Sequence, residues 1–95
     1  MVKGNRMINW LTEELKDSLE SVPGHPLIEI AGEYRVLIEN HMGIRDYTTT
    51  QILINVKFGL VKVCGHSLEI FKMTKEQIVI CGRIDSVLLC RRNNG

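Results

Sequence analysis

The side chains able to do chemistry are few. They are three histidines (His25, His41, His66), three cysteines (Cys64, Cys81, Cys90) and two aspartates beside apolar runs, Asp46 and Asp85. A cysteine and a histidine make a nucleophilic pair only when the base is within hydrogen-bond reach and an acid orients it. Cys64 and His66 are neighbours in sequence, but a two-residue step across the turn expected at Gly65 sends their side chains in unrelated directions. Asp46 and Asp85 could divide acid and base work, yet Arg45-Asp46 and Arg83-Ile84-Asp85 read as exposed surface or turn caps. Zinc wants paired ligands at short spacing, and no Cys-x-x-Cys occurs. The cysteines all sit inside apolar stretches, where they read as small buried hydrophobes of a reducing compartment. Each histidine has a Gly or Pro close by and reads as a solvated turn residue. No phosphate loop, dinucleotide fingerprint, His-Glu-x-x-His or calcium loop is present. The expectation is a protein without catalytic residues, metal or cofactor.

The whole-chain numbers narrow the partners. Ninety-five residues make one domain, and 12 Lys+Arg against 11 Asp+Glu leave a net charge of +1. That balance supplies no field to draw the chain onto nucleic acid or an anionic membrane. One Trp, two Tyr and two Phe are too few for a base-stacking platform. Lys3 and Arg6 precede no uninterrupted apolar core, since Asn9, Thr12, Glu13 and Glu14 break it. No stretch reaches the length of a membrane span. A cytosolic protein with no direct membrane insertion is expected.

The elements that would position these side chains fall into two parts. Residues 1–25 form an N-terminal extension. Within it Ile8, Leu11, Leu15, Leu19 and Val22 recur at steps of three and four, which predicts an amphipathic helix over 7–22 with Trp10 at the edge of its stripe. Pro23 and Gly24 stop it, and Pro26 keeps the following chain extended. The stripe would pack on the β-domain or dock on a partner protein; its net acidic polar face disfavours an anionic membrane.

Residues 26–91 alternate with a two-residue period. They predict an all-β domain, mainly antiparallel, of about seven to eight short strands. The runs are 27–31, 34–39, 43–47, 51–57, 60–64, 67–72, 77–81 and 84–91, and residues 92–95 form a disordered tail. Short Gly-containing links at Gly32-Glu33, Phe58-Gly59 and Gly65-His66 predict hairpins. Ile52, Ile54 and Val56 point one way and Gln51, Asn55 and Lys57 the other, a half-buried strand. Ile78-Val79-Ile80 and Val87-Leu88-Leu89 do not alternate, so they are buried on both faces or lie at an interface. Three runs end in a small residue and glycine: Ile28-Glu29-Ile30-Ala31-Gly32, Val61-Lys62-Val63-Cys64-Gly65 and Ile78-Val79-Ile80-Cys81-Gly82. A small sandwich, a barrel or a short solenoid with one rung per period all accommodate that repeat.

The order and spacing of these pieces resemble the YabP/YqfC family of bacterial sporulation proteins, closest to its YqfC branch. The resemblance rests on Val36-Leu37-Ile38-Glu39-Asn40-His41-x-Gly43-Ile44, on Gly59-x-Val61-x-Val63-x-Gly65-x-x-Leu68-x-Ile70, and on Ile78-x-Ile80-x-Gly82-x-Ile84-x-x-Val87. It covers about residues 26–90. The end departs from it: Val87-Leu88-Leu89-Cys90-Arg91 stands where the family more often has a Tyr followed by acidic residues. The resemblance implies a cytoplasmic protein of the sporulating cell with no attributed catalytic activity. It also implies a role in endospore and spore-coat formation beside other sporulation proteins, among them a membrane protein encoded nearby.

Two functions follow as expectations. The first is a protein–protein interaction or assembly role, as a homo-oligomer or a docked complex. Its contacts would come from Ile8, Trp10, Leu11, Leu15 and Leu19 on the helix and from Ile78 and Ile80 on an apolar strand. The second is a small Sm-like barrel binding RNA or DNA through Lys57, Lys62, Lys72 and Lys75, against which stand the near-zero charge and the interrupting Glu69 and Glu76.

Overall fold

The computed structural model describes residues 24–92. The predicted helix over 7–22, and with it Ile8, Trp10, Leu11, Leu15 and Leu19, lies outside the described residues. Six strands follow: β1 (Leu27–Ala31), β2 (Arg35–Glu39), β3 (Ile44–Tyr47), β4 (Gln51–Val56), β5 (Gly59–Met73) and β6 (Gln77–Arg91). They form one sheet in the order β1-β2-β6-β5-β4-β3, with every neighbouring pair antiparallel. Among the described residues the fold is all-β as the alternation predicts, but with six strands and not seven to eight, and no solenoid rungs.

The strand count falls because two expected turns are not turns. The runs 60–64 and 67–72 are one 15-residue strand, as are 77–81 and 84–91. At Gly65 and Gly82 the chain bends and continues, and the β5–β6 ladder shifts register there, between Cys64 and Gly65 and between His66 and Glu69. Glycine is required at both bends by close approach of the opposite strand. A Cβ at Gly65 would overlap the Arg83 carbonyl oxygen, and one at Gly82 would stand 2.6 Å from the Ser67 oxygen and 2.9 Å from Leu68 Cα. Gly82 also takes φ +141°, which side chains rarely adopt. The bulges re-aim both strands in mid-course.

The bends divide the sheet into two halves of one plan. In the first, β1 and β2 precede residues 77–81 of β6 and 69–73 of β5; in the second, β3 and β4 precede residues 59–64 of β5 and 84–91 of β6. Each half's hairpin turn caps a bend. The Gly82 and Ile84 amides donate to the carbonyls of Tyr34 and Glu33, and the Gly65 and Leu68 amides to those of Thr50 and Thr49.

The halves close over a single core. Val36, Ile38, Ile78 and Ile80 come from the first, Ile52, Ile54, Val56, Val61 and Val63 from the second, and Leu68 from between the bends. All ten are at most 1% exposed, and no polar or charged residue is buried among the described residues. Ile78 and Ile80 therefore correct an expectation. Their strand is paired on both sides, to β2 and β5, and both side chains belong to the core and not to a partner surface.

The turn of the Glu39-Asn40-His41-x-Gly43 motif ties the first half together at one end. Asn40 takes a left-handed φ of 61°, donates its amide to the Glu76 carbonyl (2.6 Å), and donates from Nδ2 to the His25 carbonyl (2.8 Å). His41 Nε2 lies 2.8 Å from the Thr74 carbonyl, which can only accept, so Nε2 carries the proton. Its Nδ1 accepts from the Gly43 amide at 3.0 Å. His41 is thus a half-buried brace between two turns, where the sequence suggested a solvated residue.

Candidate interaction surface

The chemistry-bearing residues do not converge. Because β5 continues through the bend at Gly65 as one strand, Cys64 and His66 both lie on the outward side, opposite Ser86 and Arg83, and not across a turn. His66 gives its Nε2 to an ion pair with Asp85 Oδ2 at 3.2 Å, with both side chains half exposed or more. Such a pair contributes little in water. Asp46 is exposed on β3, far along the sheet order from Asp85 on β6. The three cysteines are free thiols and half-buried, on positions opposite Ser86, Arg35 and Leu60, so they line the outer faces and not the core. Among the described residues no three His, Cys, Asp or Glu side chains gather where they could hold a metal ion. A shallow open cleft at the bends is lined by Tyr34, Arg35, His66, Ser67, Cys81 and Arg83. Lys62 faces Leu53 and Leu88 on the second half, and Lys72 faces Val79 on the first, so the lysines form no common strip.

The feature that stands out is an edge. In the second half, residues 84–91 of β6 pair with β5 on one side, and among the described residues no strand pairs with them on the other, because the pairing of β6 with β2 ends at Cys81. From Val87 to Cys90 its side chains are apolar on both faces. Val87 and Leu89 sit opposite Val63 and Val61 on the core side, Leu88 and Cys90 opposite Lys62 and Leu60 on the outer side. Leu88 is 48% exposed and Leu89 61%. An open apolar edge strand invites another chain, and proteins usually blunt such edges with Lys, Pro or a covering element. Between Ile84 and Cys90 there is no Lys and no Pro.

The other half treats its equivalent edge differently. There the Ile70 amide of β5 donates to the Tyr47 hydroxyl of β3 at 3.3 Å. The matching core-side position on β1 is Ile30, opposite Val36 as Tyr47 is opposite Ile52; it has no hydroxyl to offer and is itself 53% exposed. The non-alternating Val87-Leu88-Leu89 run was the signal in the sequence for this surface. The same signal at Ile78-Val79-Ile80 marks a core strand, since Val79 is half-buried beside Leu37 on the outer face. Among the described residues no helix is long and apolar enough to cross a membrane.

No solved structure matches the chain. It is 30% identical over 83 residues to a Bacillus subtilis (strain 168) protein called Uncharacterized protein YqfC, across 87% of this chain and 89% of that one. The sequence model of the YabP family matches residues 23–94, the whole of the sheet and both bends. A family model over residues 23–94 and a relative 30% identical across most of both chains show that the chain belongs to the YabP family.

Proposed function

We infer that this protein is a non-enzymatic component of endospore and spore-coat formation that works by holding another protein chain on the open edge of β6. The observation that carries it is the exposure of Leu88 and Leu89 on a strand half that, among the described residues, is paired on one side only. Membership of a family associated with sporulation supports the setting. The scattered histidines, cysteines and aspartates support the absence of catalysis. The partners in this reading are sporulation proteins of the cytoplasm, including a membrane protein encoded nearby that would bring the chain to a membrane surface.

The test is a Leu88→Lys, Leu89→Lys double variant expressed from the native locus of an endospore-forming host. Both positions are exposed, so the sheet should fold as before. At equal protein level the count of heat-resistant spores should fall at least tenfold relative to the parent. A variant that is folded, equally abundant and fully spore-forming would refute the role of the edge.

A further inference from the structure

We propose that the apolar stripe of the protein's own N-terminal segment, residues 7–22, docks in the slot between β1 and the edge of β6, over Ile30 and Leu89. Docking there gives the core side of the edge an occupant. It rests on the geometry of the edge and not on the functional reading of it.

Two core rows cross the sheet and run out in this slot. In the first half Ile70, Ile80, Val36 and Ile30 stand in register on β5, β6, β2 and β1. In the second half Ile44, Ile54, Val61 and Leu89 stand in register on β3, β4, β5 and β6. The inner members are fully buried, yet Ile30 is 53% and Leu89 61% exposed. At their other ends the rows stop at Ile70 and Ile44, both half-buried and packed on the core, where the Tyr47 hydroxyl bridges β3 to β5. The slot at Ile30 and Leu89 has no comparable closure among the described residues. Its floor is already apolar, since Ile28, Phe58, Ile84 and Val87 pack on the core. A helix laid over an edge strand is one of the ways proteins cover such a surface.

Where the segment joins the sheet, its length and its charge all select it. At one end of the slot the Ile84 amide of β6 donates to the Glu33 carbonyl, just past β1. At the other end Gly59 pairs with Arg91, and the Arg92 amide donates to the Phe58 carbonyl. Gly24 lies at this second end, where a Cβ built on it would stand 3.9 Å from Lys57 Cδ. Its φ of +79° suits glycine and turns the chain there. A helix over 7–22 is about 24 Å long at about 1.5 Å per residue. Residues 84–91 span about 26 Å as strand at about 3.3 Å per residue. A segment that enters beside Lys57 therefore fills the slot from Arg91 to Ile84 without a linker. It carries Glu13, Glu14, Asp17 and Glu20 against Lys16 alone, and Asp17 and Glu20 are close to the end where Lys57, Arg91 and Arg92 are exposed. In this placement Leu19 falls beside Leu89 and Leu15 beside Ile30. Leu88, on the outer face, stays open to another chain.

Two measurements on the full chain test the docking. Trp10 is the one tryptophan and belongs to the segment, so its fluorescence reports on the slot. Acrylamide should quench it at least twofold more strongly in an Ile30→Lys, Leu89→Lys variant than in the parent, and no more strongly in Leu88→Lys. The second measurement is covalent, in a Cys64→Ala, Cys81→Ala, Cys90→Ala background. There Leu19→Cys with Leu89→Cys should close a disulfide within one chain in oxidised glutathione. Two thiols are oxidised to one disulfide, and the glutathione disulfide is reduced to two thiols. Glu20→Cys with Leu89→Cys, one residue off the stripe, should close at least tenfold more slowly. Equal rates for the two pairs, or Trp10 as accessible in the parent as in the double-lysine variant, overturns the docking. A disulfide between two chains also overturns it, by giving the slot to a second copy. If the segment does not dock and spore yield still depends on Leu88 and Leu89, the edge keeps its function and only its cover was wrong. Docking seen together with unimpaired spores in the Leu88→Lys, Leu89→Lys variant would overturn the functional reading and leave the docking in place.

Discussion

Gly65→Ala should be among the most damaging single substitutions in this protein, although it adds one methyl group to a strand. The methyl would overlap the Arg83 carbonyl oxygen and stand 3.0 Å from the carbonyl carbon and 3.2 Å from Leu68 Cδ2. The first two are backbone atoms, so no side-chain rotation relieves the contact. Relief requires β6 to move off β5 at the bend. That strains the bonds that hold the bend, Gly65 to Thr50 at 3.0 Å, Leu68 to Thr49 at 2.8 Å and Ile84 to Glu33 at 2.7 Å. Overpacking of a tight site costs about 1–3 kcal/mol, and each lost hydrogen bond about 0.5–1.5 kcal/mol more. With one of these bonds lost, the sum is about 1.5–4.5 kcal/mol. A domain of this size has roughly 3–10 kcal/mol in total at about 0.05–0.15 kcal/mol per residue. Urea unfolding followed by far-ultraviolet circular dichroism should show a lower midpoint with an unchanged slope, and Tm should fall by at least about 6 °C. Two residues away, Ser67 holds a left-handed φ of 53° without being glycine. Ser67→Gly should shift stability the other way, by about +0.5 kcal/mol once the gain in unfolded-chain entropy is subtracted. A Gly65→Ala protein within about 0.5 kcal/mol of the parent would mean that the two strands do not cross as closely as described.

Two further substitutions probe the core and the brace. Ile80→Ala removes a fully buried side chain and should destabilise by about 2–5 kcal/mol, whereas Leu89→Ala, 61% exposed, should change stability by less than about 1 kcal/mol; equal losses in urea titrations would contradict the assignment of core and edge. His41→Ala deletes the contacts to Thr74 and Gly43 and should lower stability by about 1–2 kcal/mol, and faster amide exchange at Gly43 would locate the loss in that turn.

Much of this molecule was legible in its sequence. The alternation of Ile52-Ile54-Val56 and Val61-Val63 named half the core correctly, because a two-residue period on a half-wet sheet leaves only one face to bury. The bends were not legible. A glycine between apolar runs marks a hairpin or a bulge with equal local logic, and only the opposite strand, Arg83 facing Gly65, decides between them. The surface was half legible. Ile78-Val79-Ile80 and Val87-Leu88-Leu89 look alike along the chain, yet among the described residues the first lies between β2 and β5 and the second has β5 alone beside it, and lateral position in a sheet leaves no trace in local pattern. The cysteines illustrate the same limit, since an apolar neighbourhood in sequence placed them in the core while register places them on the outer faces.

The strand order also carries a consequence for how the chain reaches its native state. From Ile44 to Arg91 the strands form a meander, each pairing with the next through a short connection. The β1–β2 hairpin is equally local. Among the described strands, β2 with β6 is the one ladder that joins strands not consecutive in the chain, and in it Val36 meets Ile80 across most of the domain. Contacts of that separation require loop closure before they return any stabilisation, and they set the pace of folding in small β-proteins. The slow event is then the arrival of one hairpin at a preformed bent meander. Until it arrives, Ile78 and Ile80 are open on the side β2 will occupy, and the transient edge of the nascent chain is the mirror image of the permanent edge left at Leu88.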